Sequence, residues 1–216
     1  MEYTLIGHPH TRAMRVMWML EEVEQPYSLI PSKPHQEGII SRYPVGKVPA
    51  LIVGEVTLTD SSAICTYLAD RFELMTLTAG TVERGQQDAH LQFILDELDG
   101  PLWQASKHKF ILPPELRVEG VHTSAHHEWK RGIKELERRL GDQPFLMGEA
   151  FTVPDLIASH CLVWAISSKF DVESDTVMTY GKRCRSRPAF KAARAKSTAM
   201  TNMPIITPCG KTPTIS

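Results

Sequence analysis

One stretch, from Tyr43 to Tyr67, constrains the fold more than any other part of the chain. It begins with a turn punctuated by proline and glycine, continues as a short apolar strand, and returns through a second strand after Gly54. A helix follows, which Asp60 or Ser61 can cap and whose apolar positions recur every four residues. This order predicts a β-hairpin that leads directly into a helix.

Two features of this stretch suit a small peptide as ligand. Pro49 precedes the strand, where a cis bond to Val48 is natural, and that bond would turn the backbone N–H and C=O of Val48 outward toward an extended ligand. The helix start offers free N–H groups and the Ser61 hydroxyl to a carboxylate, while Asp60 can accept a hydrogen bond from an ammonium. Glutathione has a peptide backbone, an α-carboxylate and an α-amine, so it suits both features.

The segments VPAL and DSSAICTYL, in this order and spacing, resemble the glutathione-binding half of the cytosolic glutathione S-transferases. The family pattern is V-P-x-L, then an acidic or amide residue followed by S-x-A-I. GEAFTVPDL is similar to the start of the buried helix in the family's second domain, where Thr152 and Asp155 would form a capping box. The resemblance covers about residues 2–195 and is closest to a serine-type bacterial member.

The order of elements predicts two domains. Residues 1–75 are expected to form an α/β domain of thioredoxin-like fold, and residues 81–196 an all-helical bundle. The bundle would contain a long helix that ends at Pro113-Pro114 and a second helix near residues 117–140. Residues 197–216, rich in threonine and proline, are predicted to be an extended or disordered tail.

Composition excludes several classes of protein. The chain has 216 residues and a formal net charge of −1, which gives no electrostatic basis for binding nucleic acid or an anionic membrane. We find no apolar run of membrane-spanning length, no secretory signal and no C-x-x-C spacing among the four cysteines. His122 and His126 lack a third ligand, so no metal site is predicted. We expect a cytoplasmic protein with buried or incidental thiols.

The resemblance implies that glutathione is the co-substrate and that its thiol is activated between the first strand and the first helix. In serine-type members, the activating residue lies about six positions before the valine of an Arg-Val pair. Counting back from Val16 reaches His10, with Thr11 beside it, so the chain departs from the family pattern here. Thr11, at the start of a helix predicted over 11–24, offers a hydroxyl, and His10 an imidazole. Whether Thr11, His10 or backbone amides activate the thiol stays open.

The resemblance also implies further contacts with both substrates. Lys47, together with His35 or Gln36, would reach the glycyl carboxylate of glutathione. A small apolar electrophile would lie between the domains, against side chains of the long helices: Trp103, Lys107, Phe110 and, as a further candidate, Trp129.

Three functions follow from these observations. The first is glutathione transfer to an apolar electrophile, a detoxification reaction, by a homodimer whose first long helices meet near the two-fold axis. The second is a glutathione-dependent peroxidase or disulfide reductase, which needs the same thiolate. The third is a non-catalytic binding module with the transferase fold, because the activating position lacks Ser, Tyr and Cys.

Overall fold

The computed structural model describes residues 2–201 of the chain. The N-terminal part contains β1 (Tyr3–Gly7), α1 (Ala13–Glu22), β2 (Tyr27–Pro31), α2 (Glu37–Ile40), β3 (Ala50–Val53), β4 (Val56–Thr59) and α3 (Ser61–Phe72). The strands form one sheet in the order β2-β1-β3-β4, with β1 parallel to β2 and antiparallel to β3. This mixed sheet confirms the predicted thioredoxin-like domain, and the hairpin turns at Gly54, where φ is 60°.

The C-terminal part is helical. A continuous helical stretch consists of α4 (Val82–Phe93), a π-helical segment (Ile94–Asp99), α5 (Gly100–Ser106) and a second π-helical segment (Lys107–Ile111). It is followed by α6 (Val121–Leu140), α7 (Val153–Ser167), α8 (Asp175–Arg185) and α9 (Pro188–Thr201). None of the helices within residues 2–201 is long and apolar enough to cross a membrane.

The end of the chain departs from the sequence prediction. The bundle was expected to end at residue 196, but α9 continues to Thr201, so residues 197–201 are helical rather than extended. Ala193 on this helix is fully buried, and α9 packs along α1. Residues 202–216 of the predicted tail, which include Cys209, lie outside the described residues. The other three cysteines are buried free thiols, as predicted.

Helix α1 lies between the sheet and the helical bundle. Its side chains from Ala13 to Leu20 are all buried, which explains why the sequence is apolar around most of the helix. The helix was predicted over 11–24 but begins at Ala13, because residues 9–12 form turns. The turn at residues 9–12, which carries Thr11, therefore leads directly into a helix whose first eight residues are buried.

The predicted capping box is present at the start of α7. The carboxylate of Asp155, which is fully buried, accepts hydrogen bonds from the Thr152 backbone (2.8 Å) and hydroxyl (3.0 Å). It also accepts from the Leu146 backbone and the Tyr180 hydroxyl, both at 2.9 Å. Burial raises the pKa of Asp155, and these hydrogen bonds offset only part of that rise. One carboxylate thus joins α7, α8 and the loop before α7.

We predict that Asp155→Ala lowers the free energy of unfolding by at least about 3 kcal/mol, because two buried N–H groups and two hydroxyls lose their acceptor. Urea denaturation followed by circular dichroism measures the change. Asp175→Ala is the matched control, since Asp175 is an exposed carboxylate in the first turn of α8 and should contribute less than about 1 kcal/mol. Equal losses in the two variants would contradict this role for Asp155.

Candidate functional site

The register of the sheet brings three of the predicted site segments to one edge. Ala50 on β3 pairs with Ile6 on β1 and with Thr59 on β4. The residues just beyond this row, at the same edge of the sheet, are Gly7, Pro49 and Asp60. The loop into α1, the segment before β3 and the start of α3 are therefore neighbours.

The segment before β3 has the geometry that the sequence predicts. The Val48–Pro49 peptide bond is cis. The backbone N–H and C=O of half-buried Val48 make no hydrogen bond with any residue in 2–201. Gly7, at the end of β1, lies against this bond. A Cβ on Gly7 would come within 2.6 Å of the Ala13 Cβ, so the close approach of β1 to the start of α1 requires glycine. Val48 thus offers one donor and one acceptor to an extended peptide.

The start of α3 differs from the prediction in one respect. Asp60 has a left-handed backbone (φ 67°), and its Oδ1 accepts from the Ser62 N–H (3.0 Å), the Ser62 hydroxyl (2.7 Å) and the Ala63 N–H (3.4 Å). The cap that the sequence offers at Asp60 is present, and it takes up two of the N–H groups that the prediction left for a ligand, so fewer of them are free. Burial alone would raise the pKa of Asp60. The hydrogen bonds from Ser62 and Ala63 outweigh burial and hold the pKa below its usual value, so the carboxylate is ionised. Asp60 is exposed as a residue, and its Oδ2 accepts no hydrogen bond from the described residues.

Ser61 follows with its side chain directed inward. The residue is 4% exposed, and its hydroxyl accepts a hydrogen bond from Arg15 Nη1 at 3.3 Å. Its backbone N–H has no acceptor among residues 2–201 and remains as a donor at the helix start. Ser61 therefore connects this edge of the sheet to the interior.

A buried ionic network lies behind Ser61. Arg15, only 1% exposed, donates to the Asp99 carboxylate, to Nδ1 of His160 (3.1 Å) and to the Cys161 sulfur (3.4 Å). Asp99 also accepts two hydrogen bonds from Arg12. The network joins α1 and α3 of the first domain to the π-helical segment before α5 and to α7 of the second.

The network fixes which groups carry charge. Burial alone would raise the pKa of Asp99, but the two arginines hold it well below its usual range. Burial, followed by the Arg15 charge, lowers the pKa of His160 well below its usual value, so this imidazole is neutral. Burial raises the pKa of Cys161 and of Cys65 to about 12, so both are protonated thiols at neutral pH. Neither cysteine is therefore a nucleophile here.

Thr11 lies in the loop before α1. Its hydroxyl donates to the His8 carbonyl at 2.7 Å and accepts from the Ala13 N–H at 3.1 Å. The N–H of Arg12 has no acceptor within the described residues. His10 is exposed, with its ring 5.3 Å from that of His8. The loop thus presents one hydroxyl and one free amide at the positive end of α1.

The loop before α2 holds the residues expected at the glycyl carboxylate. The His35 N–H donates to the carbonyl of Gly46 at 2.7 Å, which places His35 beside exposed Lys47. The Gln36 side chain instead accepts from the Lys33 N–H at 2.7 Å and so stabilises the loop itself.

The residues expected around the electrophile do not share one cavity. The Arg12 guanidinium lies over the rings of Trp103 and Trp164, 4.9 Å from each centroid, next to the loop that carries Thr11. Phe110 is 63% exposed and lines a different cavity, of about 360 Å³, which Trp103 and Lys107 do not line.

Trp129 is not a pocket residue. It is fully buried, and its Nε1 donates to the Asp171 carbonyl at 2.8 Å. Its ring packs edge-on against Phe170, with the centroids 5.9 Å apart. Spacing alone placed Trp129 on an apolar face of α6, and that face turns out to be core rather than pocket.

Sequence reasoning missed the residues of the buried network. Arg15 was used only to locate His10 by counting back along the chain, although a charged residue inside an otherwise apolar helix indicates a buried ion pair. Asp99, at the end of an apolar stripe, gives the same signal. No local signal pointed to His160 or Trp164, because their arginine partners lie about 150 residues away along the chain.

Comparison with known proteins points to one family. The profile described as "Glutathione S-transferase, N-terminal domain" matches residues 1–70. Glutathione S-transferase 1 of Schizosaccharomyces pombe is 25% identical over 93% of this chain and 99% of its own length. Glutathione S-transferase GstA of Escherichia coli O157:H7 is 27% identical over 69% of this chain and 73% of its own.

Solved structures agree with this assignment. The glutathione transferase of Methylococcus capsulatus str. Bath superposes with a TM-score of 0.82 at 25% identity and covers 91% of this chain and 99% of its own. Glutathione transferase URE2P6 of Phanerochaete chrysosporium, solved with oxidized glutathione, shares the fold, with a TM-score of 0.79 at 24% identity over 91% of this chain and 96% of its own. With the cis bond and the capped start of α3 at one edge of the sheet, these likenesses support the assignment of the chain to the glutathione S-transferase family, whose N-terminal domain matches residues 1–70.

Proposed function

We propose that this protein is a glutathione transferase that binds glutathione along the Val48–Pro49 edge and activates its thiol beside Thr11. The observation that carries the proposal is the meeting of three segments at one edge of the sheet: an unpaired peptide edge, a capped helix start and a loop with a hydroxyl. Each offers what one part of glutathione requires.

The tripeptide would lie extended across this edge. Its cysteinyl backbone pairs with the N–H and C=O of Val48, in the manner of an added strand. The γ-glutamyl carboxylate accepts from the N–H and hydroxyl of Ser61, and the ammonium donates to Oδ2 of Asp60. The glycyl carboxylate lies near His35 and Lys47.

Thiol activation would take place at the start of α1. The Thr11 hydroxyl has one proton, which now points to the His8 carbonyl; a rotation about the Cβ–Oγ bond redirects it to the sulfur. The free N–H of Arg12 adds a second donor. Both stabilise the thiolate relative to the thiol, so the thiol loses its proton to water near neutral pH. The sulfur then attacks the electrophile, forms the C–S bond and displaces the leaving group.

The electrophile would bind beside the sulfur, where Arg12, Trp103 and Trp164 lie together. The two indole rings suit a small apolar substrate. Lys107, one turn beyond Trp103, completes this pocket. Phe110 lines the cavity of about 360 Å³ instead and is not part of this electrophile pocket. The proposal includes a homodimer, as the sequence resemblance implies.

We predict that the protein is retained on glutathione-agarose and conjugates glutathione to an activated aryl halide. Turnover confined to hydroperoxides or mixed disulfides would favour the peroxidase or reductase function instead. Loss of both retention and turnover would leave a non-catalytic module. The assay uses the full chain, with heat-denatured protein as the blank.

We predict that Thr11→Ala lowers kcat by about a hundredfold, the usual effect of removing one donor to a developing anion, with a smaller change in glutathione affinity. Thr11→Ser is the matched control, since it keeps the hydroxyl that caps α1 and should retain most of the activity. Steady-state kinetics with glutathione and an aryl halide make the comparison. Unchanged turnover in Thr11→Ala moves the role to the Arg12 amide, or to His10 if His10→Ala loses activity.

We predict that Ser61→Ala weakens glutathione binding by about tenfold or more, the value of one hydrogen bond to a charged group. Isothermal titration calorimetry with glutathione measures Kd directly. Ser62→Ala is the control for effects on the cap, because the Ser62 hydroxyl contacts Asp60 and lies one residue along the helix. Equal affinities of wild type and Ser61→Ala would exclude Ser61 from the binding site.

A further inference from the structure

The loop that carries Thr11 is held from the second domain as well as from the first. One face of α7 carries His160 and, one turn later, Trp164, whose ring lies 4.9 Å from the Arg12 guanidinium. Arg12 follows Thr11 directly, so this face of α7 packs against the turn at residues 9–12. His160 has no role in the thiol activation proposed above, yet both nitrogen atoms of its ring have a partner.

The first ring nitrogen is an acceptor. Nδ1 of His160 lies 3.1 Å from Nε of Arg15, and an arginine N–H can only donate. The proton of the neutral imidazole is therefore on Nε2, at the opposite side of the ring.

The second ring nitrogen meets the Thr11 backbone. Burial and then the Arg15 charge lower the pKa of His160 well below its usual value, whereas a hydrogen bond to the Thr11 backbone raises it. Only an acceptor raises the pKa of an imidazole, so this partner is the Thr11 carbonyl. The same carbonyl accepts from the Met14 N–H at 3.1 Å, and its two lone pairs allow both bonds. One imidazole thus joins buried Arg15 to the loop of Thr11.

The His160 ring can make both contacts only while it is neutral. An imidazolium has a proton on each nitrogen and therefore no acceptor for Arg15. It would also be a third cation beside Arg12 and Arg15, which already share one carboxylate, that of Asp99. The neutral form with its proton on Nε2 is the one that links α1, α7 and the loop.

The Thr11 loop depends on contacts from outside itself. The hydroxyl and the N–H of Thr11 both donate to the His8 carbonyl, at 2.7 and 2.9 Å. These two bonds are internal to residues 8–11, so they fix the shape of the loop and leave its position free. Its position relative to the second domain is set by Arg12 on Asp99 and by His160 on Thr11.

We propose that His160 is a positioning residue for thiol activation: its imidazole bridges Arg15 and the Thr11 carbonyl and so keeps the Thr11 hydroxyl aimed at the sulfur of glutathione. A donor to a developing anion is effective only when it is held within about 0.5 Å of its productive position. His160 acts through Thr11 and does not itself contact glutathione. This inference rests on the proposed function, since it assigns His160 to that reaction.

Two amide variants separate the two sides of the ring. The amide of His160→Asn reaches the place of Nδ1 and keeps an acceptor for Arg15, but it is too short for Thr11. The amide of His160→Gln reaches the place of Nε2 and keeps the donor to Thr11, so it is the matched control.

Kinetics and a titration of the bound glutathione thiol, followed by the ultraviolet absorbance of the thiolate, compare these variants. His160→Asn should raise the pKa of the bound thiol by about one pH unit and lower kcat about tenfold. The KM for glutathione should change less than about threefold, because the groups that hold the tripeptide are untouched. His160→Gln should recover most of the lost kcat.

A second pair of measurements needs no turnover. Nitrogen NMR of the wild type should show His160 neutral at neutral pH, with its proton on Nε2. Hydrogen exchange of the Thr11 and Met14 amides, whose bonds close the turn, should quicken about fivefold in His160→Asn, the effect of one lost hydrogen bond, and less in His160→Gln.

The outcomes for His160 and for the proposed function are distinct. A wild type that neither binds glutathione nor turns over substrate ends the proposed function, and exchange then still decides whether His160 holds the loop. The positioning role is overturned by a proton on Nδ1 in the wild type, or by exchange in His160→Asn as slow as in the wild type. An equal pKa of the bound thiol in His160→Asn and His160→Gln also overturns it. The NMR measurement on the wild type decides the case even where a variant does not fold.

Discussion

The ion pair between Arg15 and Asp99 is the interaction on which the arrangement of the two domains depends. It is nearly excluded from water, and a buried charge is tolerated only when it is paired and hydrogen-bonded. Here every neighbour contributes: Arg12 adds a second cation to Asp99, and neutral His160 accepts from Arg15. Because the partners come from both domains, the network specifies one relative placement.

This network also reaches the proposed glutathione site. Arg15 donates to the hydroxyl of Ser61, and Arg12 extends from the loop that carries Thr11 to the indoles of Trp103 and Trp164. The groups proposed to hold glutathione and the groups proposed to meet the electrophile are thus linked through two arginines, Arg15 of α1 and Arg12 of the turn before it. Pre-organisation of this kind lets hydrogen-bond donors act without rearranging during the reaction.

The sequence predicted the site where the signals were local. The Val48–Pro49 bond, the Asp60 cap and the Thr152–Asp155 box each depend on a few neighbouring residues, and all three are present. The predictions were incomplete where a side chain's partner lies far along the chain, or where two local groups compete for the same hydrogen-bond donors. At the start of α3 two predicted features compete: Asp60 caps the helix as expected, and by accepting from two N–H groups it leaves fewer of them for a ligand.

The sequence by itself determined the order of the elements, the thioredoxin-like hairpin and the resemblance to a family, because turn residues, caps and apolar spacing act over a few residues. Only the tertiary structure decided which aromatic side chains are core and which line a cavity, since one helical period places Trp129 and Phe110 alike on apolar faces. It alone also paired Arg15 with Asp99, 84 residues apart, because a buried charge takes its partner from whichever element packs against it.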